Sequence, residues 1–218
     1  KNPEWSYRPW NRAEKLMLIY IIRHGVTEWN RMKKVQGCAD IPLAEEGRAL
    51  AEKTGRALSE VKFDLCYTSP LARARETAEL VLGKRDVPVI CDARIREIDF
   101  GVLEGTRFKD EEGRILSKDM EAFFEAPMSY ARPENGENIS DILARTRDFW
   151  EELVNTPKLQ DKTILISSHG CAVRALLQNV YQDAEHFWHG CVPPNCCVNV
   201  VEVRGKEASL LVEDRVYG

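Results

Sequence analysis

The sequence predicts an α/β fold, a three-layer α/β/α sandwich around a mostly parallel central sheet. Three observations predict it. Short, apolar, β-branched runs recur along the chain, as buried parallel strands require. Longer segments of mixed apolar and charged residues alternate with them, and alternating strands and helices imply a largely parallel sheet covered on both faces. Two of the strand-like runs also end in the same way, in His-Gly.

The elements follow in chain order. Residues 17–22 form an apolar strand, 45–61 a helix, 64–68 a strand and 70–82 a helix. A short strand covers 88–90, and helices cover 118–125 and 138–154. Residues 163–168 are a second strand with an apolar centre, followed by a helix over 170–181. Two runs, 197–203 and 208–213, meet near Gly205 and are expected to form an antiparallel hairpin at the sheet edge. The stretch from Ala126 to Gly136 is irregular and short, an insertion or lid and not a domain boundary.

The strand ends carry the chemistry. The run Leu18-Ile19-Tyr20-Ile21-Ile22 leads into Arg23-His24-Gly25, and Thr163-Ile164-Leu165-Ile166-Ser167-Ser168 leads into His169-Gly170. The chain has four histidines in all, so two at matching strand ends point to one shared site. Open α/β sheets bind ligands beyond the carboxyl ends of their strands. Adjacent strands would bring both imidazoles there, and a glycine beside each leaves room for close approach.

The neighbours suit an anion. Arg23 offers a planar fork of donors matched to phosphate. Thr27 and Asn30 add short polar groups. The segment Thr68-Ser69-Pro70-Leu71-Ala72-Arg73 reads as a strand end running into a helix start, which delivers Arg73 from a first turn where the backbone dipole favours negative charge. Arg75, two residues on, faces elsewhere on the helix. The segment Arg94 to Gly101 supplies a carboxylate among apolar residues, and such surroundings raise a carboxyl pKa. Glu97, Asp99 and Glu104 all qualify by spacing.

With these motifs the chain resembles the histidine phosphatase superfamily, which includes phosphoglycerate mutases and many phosphatases. The resemblance rests on Arg23-His24-Gly25-Val26-Thr27-Glu28-Trp29-Asn30, Gln36-Gly37, Asp40-Ile41-Pro42-Leu43 and Gly47. It continues in Ser69-Pro70-Leu71-Ala72-Arg73-Ala74 with Thr77-Ala78, in Glu97 before Phe100-Gly101 and Glu104-Gly105, and in Ser168-His169-Gly170. The ordered set spans residues 17 to 205 and is far more specific than any one motif. It implies a phosphoglycerate mutase-like fold and a metal-independent reaction without a cofactor. His24 is implied as the nucleophile that becomes phosphohistidine. Arg23, Arg73 and His169 are implied to bind the phosphoryl oxygens, and Glu97, now favoured over its rivals, to protonate the leaving alcohol. Asn30 is implied as a further phosphate donor, with Thr27, Gln36 and Gly170 as substrate-binding residues beside it.

Two departures stand out. Val26 occupies a position where many relatives have Glu or Gln, outside the catalytic set. The mutase branch carries a longer insert after the acid, with basic residues for the glycerate carboxylate. Here residues 106–135 are shorter, hold the apolar Ala122-Phe123-Phe124 and contain no Arg-Arg pair. The resemblance therefore implies a phosphatase acting on phosphate monoesters of small molecules. A 2,3-bisphosphoglycerate-dependent mutase and a catalytically silent phospho-ligand binding module are the alternatives. Motif neighbourhood names Glu28, Phe100, Arg107, Tyr130 and Arg132 as a specificity surface.

Composition bounds the rest. A chain of 218 residues with 44% hydrophobic content can build one full core, so residues 17–218 are expected to form a single domain. Residues 1–16, polar and aromatic before Met17, read as an extension. A net charge of −4 argues against a general nucleic-acid surface. Seven cysteines, an odd number without a secretory leader, fit a reducing cytoplasm. No run has the length of a membrane span. The expected partner is a small phosphate ester, not nucleic acid or membrane, and a homodimer is admitted. His186, His189, Cys191, Cys196 and Cys197 form a second cluster with zinc-ligand chemistry but no common zinc spacing. Phe123, Phe124, Phe149 and Trp150 read as core or pocket wall. Arg31, Lys33 and Lys34 form a charged face near the pocket mouth.

Overall fold

A computed structural model describes residues 15–182 and 186–217. The elements are β1 (Leu16–Arg23), α1 (Glu28–Arg31), α2 (Glu45–Ala57), β2 (Leu65–Thr68), α3 (Ala72–Leu82), β3 (Val89–Cys91), α4 (Lys118–Glu125), α5 (Ile139–Asn155), β4 (Thr163–Ser168), α6 (Gly170–Leu177), β5 (Val198–Arg204) and β6 (Glu207–Arg215). The expected extension lies, through residue 14, outside the described residues.

One six-stranded sheet runs in the order β3-β2-β4-β1-β5-β6. The first four strands are parallel, and β1 lies directly beside β4 with Arg23 opposite Ser168. β5 is antiparallel to β1, and β6 returns antiparallel along β5 as the expected edge hairpin. Pleating sends successive side chains of β1 to opposite faces. Ile19 and Ile21 pack with Phe149, Trp150, Val173 and Leu176 of α5 and α6. Ile22 packs with Leu58, Ala78, Val81 and Leu82 around α2 and α3. Each face is thus closed by its own pair of helices, and the four parallel strands release their carboxyl ends at one rim.

Local chemistry sets where helices begin. Asn138 caps α5 by accepting the Asp141 N–H (3.1 Å), while Asp141 accepts the Asn138 N–H (2.8 Å). Ser117 accepts the Met120 N–H at the start of α4 (3.2 Å). Thr27 and Asn30 make the same reciprocal pair around α1, a one-turn helix not expected from the sequence. Two helices end earlier than expected. α2 stops at Ala57 and α6 at Leu177, and i→i−3 bonds tighten the following turns, as in Val61 N–H to Leu58 O (3.1 Å) and Val180 N–H to Leu177 O (2.8 Å). Gly25 and Gly47 are required for packing. A Cβ on Gly25 would sit 2.6 Å from Gly47 O, and one on Gly47 would sit 2.2 Å from Val26 O. This contact holds the start of α2 against the turn after β1. Among the described residues, no helix is long and apolar enough to cross a membrane.

Candidate active site

His24 and His169 meet at the carboxyl ends of β1 and β4, with ring centroids 5.2 Å apart. Both rings are buried. His24 Nδ1 donates to the carbonyl oxygen of Gly25 (2.6 Å). A carbonyl only accepts, so the proton of the neutral ring sits on Nδ1 and Nε2 keeps its lone pair. Burial is the largest cause that holds the imidazole well below its ordinary pKa, and the charges of Arg73 and Arg23 add to it, against the Gly25 bond. The ring is therefore neutral at pH 7 and nucleophilic at Nε2. The Gly25 N–H donates to Thr77 Oγ1 (3.0 Å), which fixes the turn on α3.

His169 is held from the other side. Ser69 Oγ accepts the Leu71 N–H (3.3 Å) and lies 2.7 Å from His169 Nε2. The other ring nitrogen, Nδ1, is buried and has no protein hydrogen-bond partner. Burial, then the Arg73 charge, also drives this pKa well down. A buried polar nitrogen without a partner is costly unless a ligand completes it.

The two arginines are oriented by backbone carbonyls. Arg73 donates to Ala39 O (2.8 Å) and Gly37 O (2.6 Å), and its Nε is unpartnered. Burial pulls its pKa to about 10, which leaves it charged at neutral pH. Arg23 donates to Pro193 O, and its buried Nε is likewise unpartnered. Gly37 must be glycine here, because a Cβ would sit 2.3 Å from Ile98 O.

The three carboxylates allowed by spacing separate clearly. Glu104 braces a loop: its oxygens accept the N–H groups of Cys38 and Ala39 (2.6 Å each), the loop whose carbonyls hold Arg73. Asp99 accepts the Gly101 N–H (2.9 Å). Glu97 alone of the three lines the cavity at His24. Its Oε1 accepts from Ile98 N (3.0 Å) and Ala172 N (3.1 Å), and its Oε2 from Cys171 N (3.1 Å). Oε1 is thereby saturated, and Oε2 keeps one lone-pair position for a proton. Burial raises the Glu97 pKa against these N–H groups and the charges of Arg73 and Arg23.

The cavity, of about 290 Å³, is lined at its inner end by Arg23, His24, Glu97, Gly170 and Asn195, with Asn30 and Gln36 beside them. Arg73 and His169 are fully buried behind this lining. Thr27 is buried too and acts indirectly, donating to Gln36 Oε1 (2.7 Å) and capping α1. The Thr27 hydroxyl, expected as a substrate-binding group, is thus engaged with the protein. Asn30 Oδ1 accepts from Thr27 and Asn195, so only its Nδ2 remains to donate.

Asn195 escaped the sequence reading. Its Nδ2 donates to His24 O (3.0 Å), Gly25 O (3.3 Å) and Asn30 Oδ1 (3.3 Å), tying together the backbone that carries the nucleophile. Its loop is anchored by Arg174, fully buried, which donates twice to Cys191 O (3.0 and 2.8 Å) and pairs with Asp214. The specificity surface named from the motifs is also corrected. Phe100 lines the cavity, but Glu28, Arg107 and Arg132 pair with Arg31, Glu111 and Asp141, and Tyr130 is buried in the core. Arg75 is exposed, as expected. The His/Cys cluster is dispersed: Cys196 and Cys197 are buried, whereas His189 pairs with Glu213 (2.8 Å) and stacks on Tyr181. Among the described residues the one group that meets metal-ligand spacing is Cys38, Asp99 and Glu104, and there Glu104 is occupied by backbone N–H groups.

The set brings together a neutral imidazole with a free lone pair, buried cations around it, and a protonatable carboxyl lining the same cavity. The chain belongs to the histidine phosphatase superfamily, whose branch 1 family model matches residues 19–214. It is 33% identical over 177 residues to a 2,3-bisphosphoglycerate-dependent phosphoglycerate mutase 2 of Gloeobacter violaceus, covering 76% of each chain. Among solved structures it is similar to Bacillus stearothermophilus YhfR, with TM-score 0.82, 34% identity and coverage of 92% of this chain and 98% of that one. It is also similar to a putative α-ribazole-5′-P phosphatase of Escherichia coli, with TM-score 0.77, 29% identity and coverage of 92% and 95%.

Proposed function

We propose that this chain is a phosphatase that hydrolyses phosphate monoesters of small molecules through a phosphohistidine on His24. His24 Nε2 attacks phosphorus, the ester P–O bond breaks, and Glu97 gives its proton to the departing oxygen. Water then attacks the phosphohistidine and passes a proton to the Glu97 carboxylate. The P–N bond breaks, and inorganic phosphate leaves. Arg23, Arg73 and His169 stabilise the equatorial oxygens, and most of the rate comes from such positioning and charge. The free Nε2 and the competent Glu97 speak against a silent binding module. The odd count of seven cysteines supports a cytoplasmic location for this enzyme.

The observation that carries hydrolysis over isomerisation is the character of the cavity beyond His24. A mutase must hold a bisphosphorylated intermediate and present either phosphate to the histidine, which calls for two strong anion sites. Here the one anion site built from buried arginines lies at His24, and the outer wall is aromatic with two half-buried lysines, Lys34 and Lys109, and no second set of buried arginines among the described residues. The mutase reading is favoured by the names of relatives such as the Gloeobacter protein. The two separate in one experiment: with 2,3-bisphosphoglycerate present, phosphate release to water should exceed interconversion of 2- and 3-phosphoglycerate. Efficient interconversion would overturn the phosphatase reading.

The same charge distribution predicts metal independence. Side-chain cations stand where Mg²⁺ or Zn²⁺ stands in other phosphoryl-transfer sites. Excess EDTA should leave the rate within about twofold, since no step draws on an ion, and vanadate should inhibit as a five-coordinate mimic. A large loss with EDTA, restored by a divalent ion, would contradict this.

A further inference from the structure

We propose, building on the phosphatase reading, that the preferred leaving group is an aromatic or similarly bulky apolar alcohol bearing a second, anionic group, held between the aromatic wall of the cavity and the ammonium groups of Lys34 and Lys109.

The cavity changes character along its length. Beyond His24 and Glu97 the lining passes to Phe100, Met120, Phe123, Phe124, Phe108 and Trp188. These rings are set against one another. Phe123 makes edge contacts with Phe100 (5.0 Å) and Trp188 (5.1 Å), and Phe108 lies against Phe124 (5.6 Å). The one polar atom of the wall, Trp188 Nε1, already donates to Phe123 O (2.9 Å). A polyhydroxylated leaving group would lose its water against these rings, and the rings offer its hydroxyls no partner. A ring would gain both burial and stacking.

The lysines finish the wall with charge. Backbone bonds lace residues 33–35 to 105–108: Val35 N–H donates to Thr106 O (2.8 Å), Gly105 N–H to Val35 O (2.9 Å) and Phe108 N–H to Lys33 O (2.9 Å). This pairing brings Lys34 and Lys109 to one cavity. Lys34 Nζ lies 5.6 Å from the Trp29 ring, and Lys109 Nζ lies 5.8 and 5.4 Å from the rings of Phe108 and Phe124. The nearby acids are otherwise engaged: Asp110 and Glu112 pair with Arg114, and Glu111 pairs with Arg107. Two ammonium groups over aromatic rings, without a carboxylate among the described residues within ion-pair distance, form an acceptor site for an anion that arrives on an apolar frame.

The test compares four esters by kcat/KM: benzyl phosphate, 4-carboxybenzyl phosphate, glycerol 3-phosphate and 3-phosphoglycerate. All four release an alkoxide, so leaving-group basicity does not dominate the comparison. Benzyl phosphate should exceed glycerol 3-phosphate by about tenfold or more, the scale of burying a ring in an apolar pocket. The 4-carboxyl group should add about tenfold more at low salt, mainly through KM, and 3-phosphoglycerate should gain far less from its carboxylate. In K34M/K109M the ratio of carboxybenzyl to benzyl ester should fall to near one. In F124A, at a half-buried position, the ratio of benzyl to glycerol ester should fall. Equal kcat/KM for all four, a preference for 3-phosphoglycerate, or an equal loss of both benzyl esters in the lysine variant would overturn the proposal while leaving hydrolysis established. Absence of both turnover and phosphohistidine with every ester would overturn the phosphatase reading and this proposal with it.

Discussion

His24→Ala is expected to abolish turnover. In a covalent hydrolase whose catalytic groups act as a unit, loss of the nucleophile costs on the order of 10⁶-fold. The side chain supplies a nitrogen with a free lone pair and a fixed orientation, because its other nitrogen is committed to Gly25 O. The variant should still bind phosphate and vanadate, since the cations around the site remain. Rapid quenching of the wild type should trap acid-labile, base-stable phosphate, and the variant should trap none. Labelling that survived in His24→Ala would sink the assignment. The direction of the His24 pKa adds a second readout. Attack needs the neutral ring, and burial with two adjacent arginines holds its pKa well below the ordinary imidazole value. The phosphorylation step should therefore not lose rate as pH falls through about 6.5, where a free imidazole protonates. A fall in the burst rate tracking that ordinary pKa would mean that His24 is solvated in the working enzyme.

Much of the site was legible because its residues lie at strand ends of a parallel sheet. Two apolar runs ending in His-Gly could only converge if their strands were neighbours, and β1 and β4 are neighbours. Arg73 was legible for a related reason, since a helix start after a strand returns to the same rim. Other parts were hidden by causes that sequence spacing does not express. Glu97, Asp99 and Glu104 are equivalent until backbone N–H groups claim Glu104 and the start of α6 meets Glu97. Asn195 precedes a strand whose neighbour was not foreseen. β5 runs antiparallel to β1, so its beginning, not its end, reaches the site. Once that pairing is known, a polar residue just before Val198 becomes a candidate. The named specificity surface failed at its charged members because each finds an opposite charge on the protein, a choice made by tertiary contact. Lys34 was placed near the pocket mouth, but Lys109 was not seen, because the pairing of 33–35 with 105–108 leaves no periodic signal.

Glu97→Gln should slow the first step in proportion to how badly the leaving group needs a proton. Gln keeps the shape and an acceptor oxygen but has no proton of suitable acidity to give. General acid catalysis typically contributes about 10² to 10⁴-fold, and an alkoxide, the poorest leaving group, would feel all of it. A p-nitrophenolate departs readily and would feel little. The phosphorylation step with p-nitrophenyl phosphate should thus be nearly spared, while hydrolysis of benzyl or glycerol phosphate should fall by at least about 10². The first step must be followed as a burst, because the proposed dephosphorylation also uses Glu97, as base toward water. The structure gives this residue opposing demands. Its burial favours the protonated form that an acid needs, whereas the N–H groups of Ile98 and Cys171 favour the carboxylate that a base needs. A pKa raised but opposed in this way suits a group that must be both in turn. Replacement by Gln also leaves one amide N–H facing the backbone donors around Oε1 and Oε2, so a loss of stability is expected as well, of about 1–3 kcal/mol for the mismatched buried pair. Thermal melting separates that loss from catalysis, since instability lowers both esters alike at a given temperature. Equal slowing of both leaving groups in the burst would remove Glu97 from the acid role. The same leaving-group dependence appearing in Asp99→Asn or Glu104→Gln would transfer that role to the residue concerned.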